Sequence, residues 1–117
     1  MKFKSQETAQ KLRGGYYTPE DLADYVSRWA LAHSPQQILE PSCGDGRFIE
    51  SVARQVDAGY ALAPAYFDAV ELMPSEAQRA DQNANGLRQK HTEVAIHNVD
   101  FLDWILTQKE AQWDAVV

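Results

Sequence analysis

Two glycines one residue apart sit in the run Ile38-Leu39-Glu40-Pro41-Ser42-Cys43-Gly44-Asp45-Gly46-Arg47-Phe48, where an apolar stretch breaks at a proline and an amphipathic stretch begins. The order strand, tight loop, helix start brings backbone N–H groups and the positive end of a helix to the carboxyl end of a strand, where nucleotide-like ligands are held in α/β proteins. Gly44 and Gly46 allow a sharp turn and a close approach of ligand to backbone. Taken alone, a Gly-x-Gly fits a plain turn equally well. A dinucleotide loop of the G-x-G-x-x-G kind wants glycine or alanine where Ile49 stands, which disfavours a nicotinamide or flavin site.

Two further positions carry matching chemistry. Glu71 closes the next apolar run, about 25 residues after Gly46; a carboxylate at a strand end accepts two hydrogen bonds from the vicinal hydroxyls of a ribose, or is simply an exposed glutamate. Asp100 and Phe101 follow a third apolar run. An acceptor for an exocyclic amine beside a ring that stacks on a purine suits adenine, while the plainer alternative is a helix cap followed by a core phenylalanine. The loop, Glu71 and Asp100-Phe101 fall on one strand edge, and that convergence points to an adenosine ligand.

Other candidates are weaker. His33, His91 and His97 share no metal-ligand spacing with cysteines or carboxylates, so no metal is expected; His33 reads as a charge or packing residue at a helix end. Cys43 has no histidine near it in sequence and reads as a small loop residue rather than a nucleophile. Trp29, Trp104 and Trp113 read as core or near-core.

The elements that position these groups follow from periodicity. After Gly14-Gly15-Tyr16-Tyr17, Thr18 reads as an N-cap and Pro19 as the first helical position, with Glu20 and Asp21 favouring the positive helix end. Leu22, Val26, Trp29, Ala30 and His33 recur at helical spacing as far as Ser34-Pro35. Ile38 to Glu40 is a strand buried on both faces, and the helix after the loop carries Phe48, Ile49, Val52, Ala53 and Val56 before Asp57-Ala58-Gly59 ends it. Tyr66 to Glu71 is a second strand, and Met73-Pro74-Ser75-Glu76 opens a polar helix that stops near Asn85-Gly86. Thr92 to Asn98 is a third strand, Phe101 to Leu106 a short helical or irregular stretch, and Trp113 to Val117 a fourth strand that should be an open edge unless something pairs with it. Such alternation predicts an α/β fold with a parallel sheet, right-handed crossovers and helices on both faces.

A chain of 117 residues leaves room for one domain, and its single cysteine, Cys43, cannot make an internal disulfide, as in a reducing compartment. No stretch has the length and apolarity of a signal or membrane span, so a cytoplasmic protein without membrane contact is expected. Lys2, Lys4, Lys11 and Arg13 against Glu7 give +3 for residues 1–13, and the net charge of −6 leaves −9 for the remainder. Residues 1–13 therefore read as a basic arm, able to touch phosphates or merely solvated, on an acidic body of residues 14–117 that is not itself a broad polyanion-binding surface.

Gly15-Tyr16-Tyr17-Thr18-Pro19, Leu39-Glu40-Pro41-Ser42-Cys43-Gly44-Asp45-Gly46-Arg47-Phe48, Val70-Glu71 and Val99-Asp100-Phe101 resemble, in order and spacing, the first half of S-adenosylmethionine-dependent DNA adenine-N6 methyltransferases of restriction-modification systems. The resemblance runs from about Gly14 to Val117. It implies a partial Rossmann-like methyltransferase fold of about four parallel strands, with S-adenosyl-L-methionine as cofactor. Thr18, with the Tyr17 backbone, would hold the methionine carboxylate, and Glu40, Pro41, Ser42, Cys43, Gly44 and Gly46 would line the methionine and ribose portion. Glu71 would take the ribose hydroxyls and Asp100 the adenine amine, with Phe101 against the ring.

In the family a flipped-out adenine of DNA is methylated, and the acceptors that hold its amine lie in an Asn-Pro-Pro-Tyr or Asn-Pro-Pro-Phe element after the fourth strand. This sequence has no Pro-Pro. The resemblance therefore implies a cofactor-binding portion without catalytic residues of its own, inactive by itself and with little or no DNA affinity alone. A cofactor-binding module acting through a partner chain that completes the sheet, or a remnant that binds nothing well, would share the same residues.

Overall fold

The computed structural model describes residues 18–110 and 112–117. The predicted basic arm, Gly14, Gly15, Tyr16 and Tyr17 lie outside the described residues. Within them the order is α1 (Glu20–Leu31), β1 (Gln37–Glu40), α2 (Arg47–Asp57), β2 (Tyr66–Val70), α3 (Pro74–Asn83), α4 (Asn85–Arg88), β3 (Glu93–His97), α5 (Phe101–Ile105) and β4 (Ala115–Val116). The strands form one parallel sheet in the order β3-β2-β1-β4. The chain moves outward from β1 to β3, then returns to the other side of β1. The order reverses between β1 and β4, and open α/β sheets bind ligands at such a switch point, beyond the carboxyl ends of the strands.

One sheet face carries the core. Ile38, Phe67, Ala69 and Val94 pack with Phe48, Ile49 and Val52 of α2, Ala80 of α3 and Leu87 of α4. Each large side chain fully withdrawn from water contributes about 1.5–3 kcal/mol. Strand residues of the opposite parity turn to the other face, where Asp68 Oδ1 lies 3.0 Å from His97 Nε2 and Asp68 Oδ2 accepts from Trp113 Nε1 at 3.1 Å. Trp104 of α5 stacks on His97 and on Trp113, with ring centroids at 4.7 and 5.9 Å. Trp104 and Trp113 are half-buried on this face and lie outside the core cluster, held by their ring contacts and, for Trp113, by the Asp68 carboxylate.

Trp29, also expected in or near the core, is 74% exposed and Leu22 is 50% exposed, whereas Ala23, Ser27 and Leu31 are buried. Val26 and Ala30 of the predicted stripe pack against the core, but the centre of the buried face is rotated toward Ala23 and Ser27, whose small side chains suit a close approach of α1 to α2. Ser27 Oγ lies 2.8 Å from Ser51 Oγ, Ser51 Oγ donates to Asp24 Oδ1 at 2.5 Å, and Arg54 Nη2 donates to the same oxygen at 2.7 Å. The Ser51 hydrogen bond holds the Asp24 carboxyl below its usual range against an opposing effect of burial, and Arg54 adds to it. Helix α1 also starts one residue late. Pro19 occupies the N-cap position with no side-chain cap, so Thr18 does not serve as the predicted cap, and the Asp21 carboxylate accepts from the next N–H, that of Leu22.

The predicted stop at Asn85-Gly86 is only a break. The chain continues into α4, because Leu87 is fully buried and Gly86 passes close to Ala53; the turn ends at His91, in the left-handed region with φ 69°. No helix among the described residues is long and apolar enough to cross a membrane.

Candidate functional site

Everything singled out at the strand ends belongs to one edge of the sheet. Pro41 and Ser42 leave β1, and the Cys43 N–H then donates to the Val70 carbonyl at 2.9 Å, tying the loop to the end of β2. The Gly46 N–H donates to the Cys43 carbonyl at 3.0 Å, closing a tight turn into α2. From outside, Asn83 Nδ2 donates to the Asp45 carbonyl at 2.8 Å. The loop is held from three directions before any ligand arrives.

The two glycines have different reasons to be there. Gly46 caps α2 with φ 92°, and a Cβ at this position would lie 3.0 Å from Ala80 Cα. Its lack of a side chain lets α2 and α3 meet. Gly44 has φ 55°, and a Cβ there would meet nothing within 4 Å. Among the described residues, the space above Gly44 is open.

Glu71 is buried and faces the loop. Its Oε1 accepts from the Gly44 N–H at 2.9 Å and its Oε2 from the Met73 N–H at 2.8 Å. An ionised carboxylate has about four lone-pair positions, so two backbone donors leave acceptor capacity for two hydroxyls. The strand end is braced in turn: the Glu71 N–H donates to the His97 carbonyl, and Asn98 Nδ2 donates to the carbonyls of Glu71 and Leu72 at 2.8 and 2.9 Å. Asn98 and Asn83 were missed in the sequence. The signal for Asn98 was its place directly after a strand; Asn83 left none, since its partner lies 38 residues away.

Glu40 ends β1 with the opposite character. It is 8% exposed, and its Oε1 is fully buried with no hydrogen-bond partner among the described residues. Burial first, then the charges of Glu71 and Asp45, push its carboxyl up to about 8. The thiol of Cys43 is driven well above the usual range by burial and by the Glu40 and Glu71 carboxylates, which suits a packed loop residue and not a nucleophile. An acid raised in the folded state contributes stability below its unfolded value near 4.5, which is lost as pH rises to about 8. Glu40→Gln is therefore expected to stabilise the ligand-free chain at pH 8 by on the order of 1–3 kcal/mol and to change it much less at pH 5, as read by thermal denaturation at both values.

Asp100 lies on the same edge, three residues beyond β3, and is exposed; it caps α5, its Oδ1 accepting from the Asp103 N–H at 3.2 Å. Phe101 is half-buried with its ring 6.2 Å from that of Trp104. The cap uses one carboxylate oxygen of Asp100, and the Phe101 ring is only partly covered. Thr18 is exposed at the start of α1. Beside the loop, Glu20, Asp45, Arg47, Glu50 and Arg54 line a polar cleft. Glu20 and Arg54 bring the start of α1 and the body of α2 to its wall.

No family model matches the chain. Over 96 residues, 82% of its length, it is 31% identical to the type II methyltransferase M.CvrRI of Paramecium bursaria Chlorella virus XZ-6E, covering 22% of that protein. Its structure superposes on cofactor-bound Rv0187 from MTB with a TM-score of 0.64 at 20% identity, covering 86% of this chain and 43% of that one. It superposes on the O-methyltransferase from Bacillus cereus in complex with SAH with a TM-score of 0.63 at 15% identity, covering 99% and 54%. The chain thus spans about a fifth of the viral relative and about half of each solved structure. The fold is the Rossmann-like fold of methyltransferases.

Proposed function

We propose that this chain is the S-adenosyl-L-methionine-binding portion of a DNA adenine-N6 methyltransferase. The observation that carries the cofactor assignment is the pairing of Glu71 with the glycine loop: a buried carboxylate already oriented by two backbone N–H groups, beside an open space above Gly44. Glu71 takes the ribose hydroxyls, the backbone from Pro41 to Gly46 lines the path of the methionine chain, and Thr18 with Tyr17 meets its carboxylate. The carboxylate oxygen of Asp100 that does not cap α5 receives the adenine amine, and Phe101 packs against the ring. Support for the family comes from the viral type II methyltransferase, and support for the fold from cofactor-bound Rv0187 and the Bacillus cereus O-methyltransferase.

When bound, the cofactor supplies an electrophilic methyl group on a sulfonium. This chain's contribution is orientation. Glu71 would hold the ribose, and the loop, braced by its own hydrogen bonds, would hold the methionine end beside it. Holding a reactant in place in this way accelerates transfer without a covalent nucleophile. Cys43 takes no part, being buried and protonated.

The acceptors that hold a flipped adenine belong, in the family, to an element absent from these 117 residues. With this chain as the sole protein, label from radioactive S-adenosyl-L-methionine is expected not to enter adenine-containing duplex DNA; turnover above a no-protein control would overturn that expectation.

A further inference from the structure

We infer that the outer face of α1 is a self-complementary surface on which a second copy of this chain docks, the two α1 helices lying antiparallel about a two-fold axis beside Tyr25. Asp21, Leu22, Tyr25, Arg28 and Trp29 share this face, and all are exposed. Leu22 is 50%, Tyr25 72% and Trp29 74% exposed, where a helix facing only water would carry polar side chains. A single exposed apolar side chain needs no explanation, but three large ones on one helix face, with charges at both ends, mark an interaction surface. They cannot turn inward. The other side of α1 is taken by Ala23, Ser27 and Leu31, which are buried, and Ser27 is bonded to Ser51 of α2.

The spacing selects the occupant. Leu22 and Trp29 are seven residues apart, as are Asp21 and Arg28, so the members of each pair lie two turns apart on one face. Both pairs straddle Tyr25, with midpoints half a residue to either side of it. Turning a second α1 end over end about Tyr25 sets its Trp29 opposite Leu22 and its Arg28 opposite Asp21, makes each contact twice, and brings Tyr25 to its own equivalent. This is the reciprocity of an isologous two-fold contact.

Charge fixes the direction. The first turn of α1 is acidic, with Glu20 and Asp21, and the last turn carries Arg28. Parallel helices would set like charges together, whereas antiparallel helices pair opposite charges and opposite dipole ends. Arg28 is already held in place, its Nε donating to Gln55 Oε1 at 2.7 Å and its guanidinium lying 4.3 Å from the Tyr60 ring centroid. One of five N–H donors is used in that hydrogen bond, which leaves capacity for a carboxylate. An apolar centre between charged ends is the usual layout of a protein interface. A helix of 12 residues is about 18 Å long and buries less than a standard interface, so the dimer is weak and forms with rising concentration.

Sedimentation velocity of the full chain from about 1 μM to about 1 mM is expected to show monomer passing into one dimeric species. Trp29→Glu, a change at an exposed position, is expected to weaken the dimer at least about 10-fold while leaving the melting temperature of the dilute chain unchanged. Cysteine pairs read the direction of the helices, since Cys43 is buried. Tyr25→Cys, at the axis, is expected to form an intermolecular disulfide on oxidation at least about 10-fold faster than Leu22→Cys, whose equivalents lie about 9 Å apart along antiparallel helices. A chain that stays monomeric at about 1 mM would overturn the inference and leave this face to another segment of the chain or to a different protein. Assemblies larger than a dimer, a dimer unaffected by Trp29→Glu, or equal cross-linking of the two cysteine variants would overturn it as well.

Discussion

Replacing Glu71 with alanine is expected to weaken S-adenosyl-L-methionine and S-adenosylhomocysteine binding at least about 100-fold. Hydrogen bonds to a charged group contribute about 1.5–3 kcal/mol each, and two ribose hydroxyls are lost together; a tenfold change in affinity is about 1.4 kcal/mol. The same substitution strips acceptors from the Gly44 and Met73 N–H groups, so the loop loses the strut that links it to the end of β2. A lower melting temperature should accompany the loss of affinity. Glu71→Gln separates the two effects. Its single carbonyl oxygen faces two backbone donors, so the loop is held in part while ribose binding stays weak. Calorimetry and thermal denaturation of both variants check this, and an affinity for Glu71→Ala within about threefold of wild type would remove Glu71 from the site.

The second large effect distinguishes the two glycines. Gly46→Ala is expected to destabilise the fold by about 2–4 kcal/mol, because an alanine at φ 92° is strained and its Cβ would meet the Ala80 backbone at 3.0 Å. In a chain of this size each kcal/mol moves the melting temperature by roughly 4–8 °C, so the drop exceeds about 8 °C. Gly44→Ala meets no atom within 4 Å and bears only the conformational cost of φ 55°, about 1–2 kcal/mol. Its main effect falls on the ligand, since the added methyl projects into the open space above the loop. Thermal denaturation should therefore rank Gly46→Ala as the less stable variant, while titration of folded Gly44→Ala should show the affinity loss. A reversal of that ranking would show that Gly46, not Gly44, faces the ligand.

The difference between these glycines was not legible in the sequence, where both read as loop residues. Whether a glycine serves a ligand or a helix contact depends on what lies across from it, and Ala80 is 34 residues beyond Gly46. What could be read was local: a strand running into a tight loop, the helix behind it, the alternation that makes the sheet parallel, and the placement of Glu71 and Asp100 at one edge. Those features follow from spacing within ten or so residues and from the topology that such spacing forces.

The register of α1 was misread for a definite reason. Leu22 and Trp29 carry much of the apolar area yet lie exposed, whereas Val26 and Ala30 of the same stripe do pack against the core and the buried contact is centred on Ala23 and Ser27, where small size and hydrogen bonding through Ser51 and Asp24 outweigh bulk. Hydrophobic periodicity does not register a stripe of small residues. The tie between Asp68, His97 and Trp113 was hidden likewise, because it joins residues 29 and 45 positions apart through hydrogen bonds. Asp100 shows the remaining ambiguity in concrete form: the helix cap foreseen as the plainer alternative is present at Oδ1, and the proposed role with adenine uses the other oxygen.

Direct titration of the wild-type chain with S-adenosylhomocysteine tests the proposed cofactor pocket of the loop, Glu40, Glu71 and Asp100 best. Saturable binding of one molecule per chain is expected, together with a rise in melting temperature that grows with ligand concentration. An absence of binding up to millimolar ligand by a chain that denatures cooperatively, or binding that 5′-methylthioadenosine and unrelated nucleotides match, would contradict it.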